Sequence, residues 1–236
     1  ICNLPSDLII ALIRLKSEEM FRSLYSYNSP DKLVFRLILL AIIVLSNTQN
    51  VWAQRFNFTQ YNIEHGLIQS QVRALAQSPS RHLWFATQGG ISRFDGSQFF
   101  SLTRAENGLA NMSVSAVLAD KNGKIFIGTP GGLSVYQGDG VRNYKLPEDE
   151  PKADKTHGNW VSNLVKDKSG RLLAHINYKA YLFNGNNFRR LKSSKSASDT
   201  VMALTSDSAG NVYAAVYRKG IYQIIGDSWK LVNSFT

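Results

Sequence analysis

This 236-residue sequence predicts an all-β fold of the propeller type. Residues 54–236 repeat themselves four times, at spacings of 42, 47 and 40 residues. Each repeat divides into short runs rich in β-branched and aromatic residues, separated by Gly, Asn and Asp turns. No helical periodicity appears after residue 54. Periods near 40–45 residues with four strands apiece mark propeller blades. A sandwich of similar strands is the alternative, but it would need five or more matched positions in four copies to coincide by accident.

Residues 1–53 read as export machinery rather than fold. Leu37–Leu45 is an unbroken apolar run of nine, preceded by Lys32 and Arg36 and followed by polar Ser46–Asn50 and Val51-Trp52-Ala53. That order is a charged, then apolar, then small-residue signal peptide cleaved after Ala53. A membrane span takes roughly 20 apolar residues, so the run is too short for an anchor. The first Met is Met20, which makes 1–19 an upstream extension. Cys2, the single cysteine, falls in that extension, so the mature chain carries neither disulfide nor thiolate metal site. An exported domain stabilised by its core alone suits a bacterial envelope better than an animal extracellular space.

The repeats align on Val72-x-x-Leu75, Val114-x-x-Val117, Val161-x-x-Leu164 and Val201-x-x-Leu204. Three copies continue with Asp-x-x-Gly, at Asp120, Asp167 and Asp207, and the first has Ser78–Arg81 there instead. Second strands follow at Leu83–Thr87, Ile125–Thr129, Leu172–Ala174 and Val212–Val216. Third strands end in turns at Gly96, Gly138, Gly185 and Gly226, and apolar Phe99, Val141, Phe188 and Trp229 open the fourth. The blades are expected at about 68–104, 110–146, 157–193 and 198–235. An extra outer strand is expected over 55–62, because Phe56–Tyr61 precedes Glu64-His65-Gly66-Leu67 much as a fourth strand precedes Glu106-Asn107-Gly108-Leu109. A lone four-stranded sheet cannot bury both faces, so blades must stack. An unpartnered outer strand then reads as about four blades of a larger, truncated ring.

The stretch Leu83-Trp84-Phe85-Ala86-Thr87-Gln88-Gly89-Gly90-Ile91-Ser92-Arg93-Phe94-Asp95-Gly96, with Gly66-Leu67 and Val72–Leu75 before it, resembles the two-component regulator propeller repeat. The second copy, from Gly108-Leu109 to Gly131-Gly132-Leu133, is similar. The third departs from it, with Asn177-Tyr178-Lys179 in the turn and His175 where Gly128 stood, and the fourth lacks the Trp-Phe-Ala-Thr run. The resemblance implies the periplasmic sensor region of a histidine kinase, often hybrid, of the kind common in Bacteroidetes. It also implies seven-bladed rings, further C-terminal domains, a dimer in the full-length form and an inner-membrane anchor. Kelch repeats run nearer ~50 residues, and neither the sialidase box nor the Trp-Asp dipeptide is present.

Chemistry is not expected of this chain. The histidines His65, His82, His157 and His175 form no His-x-x-x-His pair. No Gly-x-Ser-x-Gly elbow or phosphate loop appears, and Asp120, Asp167 and Asp207 read as turn-formers. No cofactor and no metal are implied. Beyond residue 53 the chain holds 22 basic against 13 acidic residues. Lys152, Lys155, Lys166, Lys168, Arg171, Arg189, Arg190, Lys192 and Lys195 cluster late. This excess suits an acidic polysaccharide or a solvated rim; nucleic acid is not expected of an exported chain.

In a propeller the loops entering the first strands and the loops joining second to third strands share one face. That face is expected to carry a ligand site drawn from Gln69, Gln71, Gln88, Asn111, Ser113, Asn159, Trp160, Asn177, Tyr178 and Arg218. Amides and aromatic rings suit sugar hydroxyls, and loops on a rigid frame are where function concentrates. The expected function is ligand sensing, plausibly of an oligosaccharide, for a two-component kinase. The alternatives are an envelope scaffold that docks protein partners and, more weakly, a polysaccharide-cleaving propeller.

Overall fold

The chain divides into two compact units, Ile1–Phe58 and Thr59–Thr236. The computed structural model describes residues 40, 58–147, 158–192 and 200–234. The expected start, apolar run and cleavage point in the first unit lie outside the described residues, save helical Leu40. No helix among the described residues is long and apolar enough to cross a membrane.

The second unit contains four antiparallel sheets of four strands, each a meander in chain order. Sheet 1 is β1 (Val72–Gln77), β2 (Leu83–Thr87), β3 (Ile91–Phe94) and β4 (Phe99–Leu102). Sheet 2 is β5 (Ala116–Ala119), β6 (Ile125–Thr129), β7 (Gly132–Tyr136) and β8 (Val141–Tyr144). Sheet 3 is β9 (Val161–Lys166), β10 (Leu172–Ile176), β11 (Lys179–Phe183) and β12 (Phe188–Leu191). Sheet 4 is β13 (Val201–Ser206), β14 (Val212–Val216), β15 (Gly220–Ile225) and β16 (Ser228–Asn233). The first strands β1, β5, β9 and β13 lie side by side in that order, which is the inner wall of a propeller.

Turn chemistry explains why the strands break where they do. Asp120 Oδ1 accepts from the backbone N–H of Asn122 and Lys124 at 2.8 and 2.9 Å. Asp167 does the same for Ser169 and Arg171, both at 2.9 Å. The side chain replaces two backbone acceptors that the reversal takes away. In sheets 1 and 2 the turn between second and third strands is held by a buried threonine. Thr87 Oγ1 donates to the Gly90 carbonyl and accepts from Gly89 N–H, and Thr129 repeats both bonds with Gly132 and Gly131. Gly132, at φ 127°, lies against the Tyr144 carbonyl, where any Cβ would collide.

The cores lie between sheets rather than within them. Trp84, Ile91 and Leu102 of sheet 1 pack with Val114, Ile125 and Ile127 of the second repeat. Phe126, Leu133 and Val135 of sheet 2 pack with Leu164, Ala174 and Tyr181 of sheet 3. Leu173, Ala180 and Leu191 pack with Val201, Leu204 and Ala214. Fully burying one such side chain contributes about 1.5–3 kcal/mol, so each interface is a core in its own right. The outward faces of the end sheets are less covered: Leu75 and Val232 are 58% and 55% exposed.

The outer strand expected over 55–62 is not formed by residues 58–62; 55–57 lie outside the described residues. Ring contacts hold this segment instead. Tyr61 stacks 4.9 Å from Phe94 and 5.8 Å from Phe99. A 3₁₀ turn (Ile63–His65) capped by Asn62 follows, ended by Gly66 at φ 98°. The next repeat has the one-turn helix α1 (Arg104–Asn107), capped by Thr103 and ended by Gly108 at φ 73°. This is the structural meaning of the repeated Glu-x-Gly-Leu. Just beyond, Ile68 N–H and Ala110 N–H donate to the buried hydroxyls of Ser92 and Ser134.

Candidate functional site

The loops that enter first strands and the turns between second and third strands meet at one end of the sheets. Backbone bonds tie them together: Val114 N–H to the Thr87 carbonyl at 2.8 Å, Asn159 N–H to Pro130 at 3.3 Å, and Val201 N–H to Tyr178 at 2.7 Å. At this end the first strands are irregular. The register of β1, β9 and β13 against their partners skips Arg73, Ser162 and Met202. A bulge re-aims the extra side chain, and these three occupy the same step, one residue past the repeated valine. Arg73 donates to Ser113 Oγ at 3.0 Å. Ser162 bonds His175, and Met202 stands exposed.

A cleft of about 290 Å³ opens between sheets 3 and 4 at this end. Trp160, Ser162, Asn163, His175, Asn177, Tyr178, Met202, Ala203 and Leu204 line it. His175 is the wedge. Its Nε2 lies 2.8 Å from the Val201 carbonyl, and a carbonyl only accepts, so Nε2 carries the proton. Nδ1 therefore accepts from Ser162 Oγ, at 2.6 Å. Burial pushes the imidazole pKa below its ordinary 6.5, against the opposing effect of the Val201 carbonyl; the ring is held neutral.

Asn177 sits in the hairpin turn at φ 48°, followed by Tyr178 at φ 61°. Both left-handed positions are needed for a two-residue hairpin, and asparagine tolerates the first. Asn177 Nδ2 donates to the Gly158 carbonyl at 2.7 Å, which fixes the amide orientation. Its Oδ1 is buried and has no hydrogen-bond partner among the described residues. Tyr178 is 41% exposed, its ring edge-on to His175 at 6.3 Å.

Some of the sequence-predicted residues line the cleft and the others do not. Trp160, Asn177 and Tyr178 line the cleft. Trp160 Nε1 donates to Ser115 Oγ at 2.9 Å, which locks its ring across the seam between the second and third repeats. Several of the others brace loops: Gln69 Oε1 accepts from Gln88 N–H, Asn111 Oδ1 from Ser113 N–H, and Asn159 Oδ1 from Leu146 N–H. Gln71 and the Gln88 side chain are exposed at the same end, outside the cleft. Arg218, at φ 55°, lies 5.1 Å over the Tyr217 ring. Ser162, Asn163 and Met202 also belong to the cleft and are not singled out by the sequence; for Ser162 and Met202 the available signal is the step after the repeated valine.

Other candidate groups have local partners. His65 Nδ1 is 2.6 Å from Asn62 Oδ1 in the turn it closes, and His82 Nδ1 is 3.1 Å from Ser80 Oγ. His157, Lys152, Lys155 and Lys195 lie outside the described residues. Lys166 pairs with Asp120 at 3.4 Å, Arg171 with Asp167 at 2.7 Å and Arg189 with Asp227 at 2.8 Å. The late basic cluster is thus partly consumed in pairs between and within sheets. No group of three His, Cys, Asp or Glu among the described residues could hold a metal ion.

Comparison with known proteins fits this geometry. Residues 108–131 match the model of the two component regulator propeller. They run from the cap of α1 through β5 and β6 into the turn before β7. Two extracellular domains of hybrid two component systems from B. thetaiotaomicron are similar in structure. One superposes with TM-score 0.59 at 20% identity, covering 75% of this chain and 26% of its own. The other gives TM-score 0.55 at 18% identity, covering 66% and 21%. The chain thus spans about a fifth to a quarter of those domains. A virginiamycin B lyase from Staphylococcus aureus, solved with quinupristin, gives 0.54 at 17% identity over 77% of this chain and 62% of that one. Extracellular domains of two component systems and an enzyme therefore share the fold, which alone does not decide between their roles. No curated protein matches the chain. Four stacked meander sheets that superpose on propeller domains, with residues 108–131 matching the two component regulator propeller repeat, make this chain part of a β-propeller that carries that repeat.

Proposed function

We propose that the chain is the ligand-sensing propeller of an exported two-component sensor, and that its cleft between sheets 3 and 4 receives a hydroxyl-rich ligand, an oligosaccharide. The observation that carries this reading is the buried, unpartnered Oδ1 of Asn177 at the cleft. Leaving a buried acceptor unpaired costs about 1–3 kcal/mol, which a ligand hydroxyl would recover. Tyr178 and Trp160 offer apolar ring surface beside it, the pairing that suits a sugar's flat face and polar rim. The family match and the extracellular sensor neighbours support the output, with any kinase residing in sequence beyond this chain.

The cleft also has the means to report occupancy. It is floored by the His175–Val201 bond, which joins sheet 3 to sheet 4. A ligand seated on both sheets favours one spacing of the pair, and that differential affinity biases whatever the sheets are coupled to.

The test is a transcriptional or phosphorylation readout of the full gene product in cells supplied with neutral oligosaccharides. A response that Tyr178→Ala removes supports the reading. No response to any glycan, with a stable protein complex recovered through the same face, establishes the scaffold alternative instead.

A further inference from the structure

A second cavity lies at the opposite end of the sheets from the cleft. It is a groove of about 640 Å³ between sheets 2 and 3, reached from the turns between first and second strands and between third and fourth strands. That volume is within the range of about 300–1,000 Å³ typical of small-molecule sites. Its floor is apolar, with Phe126, Val135, Leu172 and Phe183. The Tyr144 ring meets Phe183 edge-on at 4.9 Å and lines the wall.

The charges of the groove fall into spent and unspent sets. Asp120 is buried and saturated: one oxygen takes two backbone N–H groups and the other pairs with Lys166, which also lies 5.4 Å over the Phe126 ring. Arg171 is engaged by Asp167 and by the Gly226 carbonyl. Lys124, in the turn before β6, and Arg142, on β8, line the same groove with no side-chain ion pair or hydrogen bond to another described residue. Asp139, at the rim, is the opposing acidic group. Asn184 and Asn186 face these cations from the turn of sheet 3, where Asn184 Oδ1 is already bound to backbone.

We infer that this groove is a second ligand site, and that it takes a small carboxylated sugar of the uronic acid type. The carboxylate meets the Lys124 and Arg142 pair, Arg supplying a planar fork that fits it. The Tyr144 ring carries the apolar face of the sugar, and the Asn186 and Gln137 amides meet its hydroxyls. The inference is independent of the cleft, whose residues share none of these positions.

The experiment is calorimetric titration of the full chain with D-glucuronate, D-glucose and inorganic phosphate in parallel, at low salt. Saturable glucuronate binding that weakens ~10-fold or more in Arg142→Gln and Lys124→Gln, but not in Tyr178→Ala, is the expected result. Tyr144→Leu is expected to weaken it while leaving the thermal transition near that of the parent. Glucuronate binding that neither cation substitution changes overturns the assignment, as does equal binding of glucose. Phosphate binding without glucuronate binding overturns the sugar class, and absence of glucuronate binding to a folded chain overturns the site.

Discussion

His175 Nε2 donates to the Val201 carbonyl at 2.8 Å, bridging two sheets at the strand position that Gly128 holds in sheet 2. The contrast is steric. A Cβ on Gly128 would stand 2.5 Å from the Val161 carbonyl, so sheets 2 and 3 meet there backbone to backbone. Between sheets 3 and 4 an imidazole fills the same place, and the cleft opens beside it.

Replacing His175 with Ala therefore removes a bridge and the side-chain partner of the Val201 carbonyl, and leaves Ser162 Oγ only its longer bond to the carbonyl of residue 175. We expect a loss of about 2–3 kcal/mol in urea unfolding. A loss below a few tenths would show that the bridge carries no weight.

The same residue sets a pH dependence. Its folded pKa lies below 6.5, so at mildly acidic pH the unfolded chain binds the extra proton. Stability is complete above pH 6.5 and falls as pH drops below it toward the depressed folded value, by at most about 1.4 kcal/mol per pH unit. Unfolding midpoints measured from pH 7.5 downward should decline in the parent, with His175→Ala losing this part of the slope. Parallel slopes contradict the assignment.

Gly132→Ala and Gly123→Ala form a matched pair. Both glycines have positive φ, at 127° and 78°, but only Gly132 has a carbonyl where the Cβ would stand, that of Tyr144. The expected costs are about 1 kcal/mol at Gly123 and more than about 3 kcal/mol at Gly132. Equal costs in thermal unfolding would remove the close approach from the explanation.

How much of this was legible beforehand follows from the range of each interaction. The strands and hairpins were readable because an Asp with its own turn, as at Asp120 and Asp167, is a bond within five residues. Stacking of sheets was readable because each repeat has apolar residues for two faces. The cleft was not. Ser162 and Met202 enter it through register skips, which arise from pairing rather than from residue type. Nor could an amide whose oxygen braces backbone, such as Asn111, be told from one whose oxygen is left without a partner among the described residues, such as Asn177; the two side chains are alike until their partners are known.

Asp95 offers a local check on the turns. Its carboxylate accepts from Gln98 N–H, Ser97 N–H and Ser97 Oγ, which lowers its pKa from 3.8 to about 2. The stabilisation is present above pH 3.8 and is lost as pH falls toward 2. A carboxyl carbon titration by NMR should find Asp95 still ionised near pH 3, whereas Asp95→Asn should remove that signal and loosen the Ser97 and Gln98 amides in hydrogen exchange. An ordinary midpoint would mean the turn is not formed as described.

The account rests most heavily on the cleft between sheets 3 and 4 as a place where sugar hydroxyls bind. Isothermal titration of the full chain with a panel of neutral tetrasaccharides measures that directly, with Tyr178→Ala alongside. At least one sugar should bind the parent and bind Tyr178→Ala ~10-fold or more weakly. Binding of equal strength to both proteins, or none to a folded parent, would contradict it.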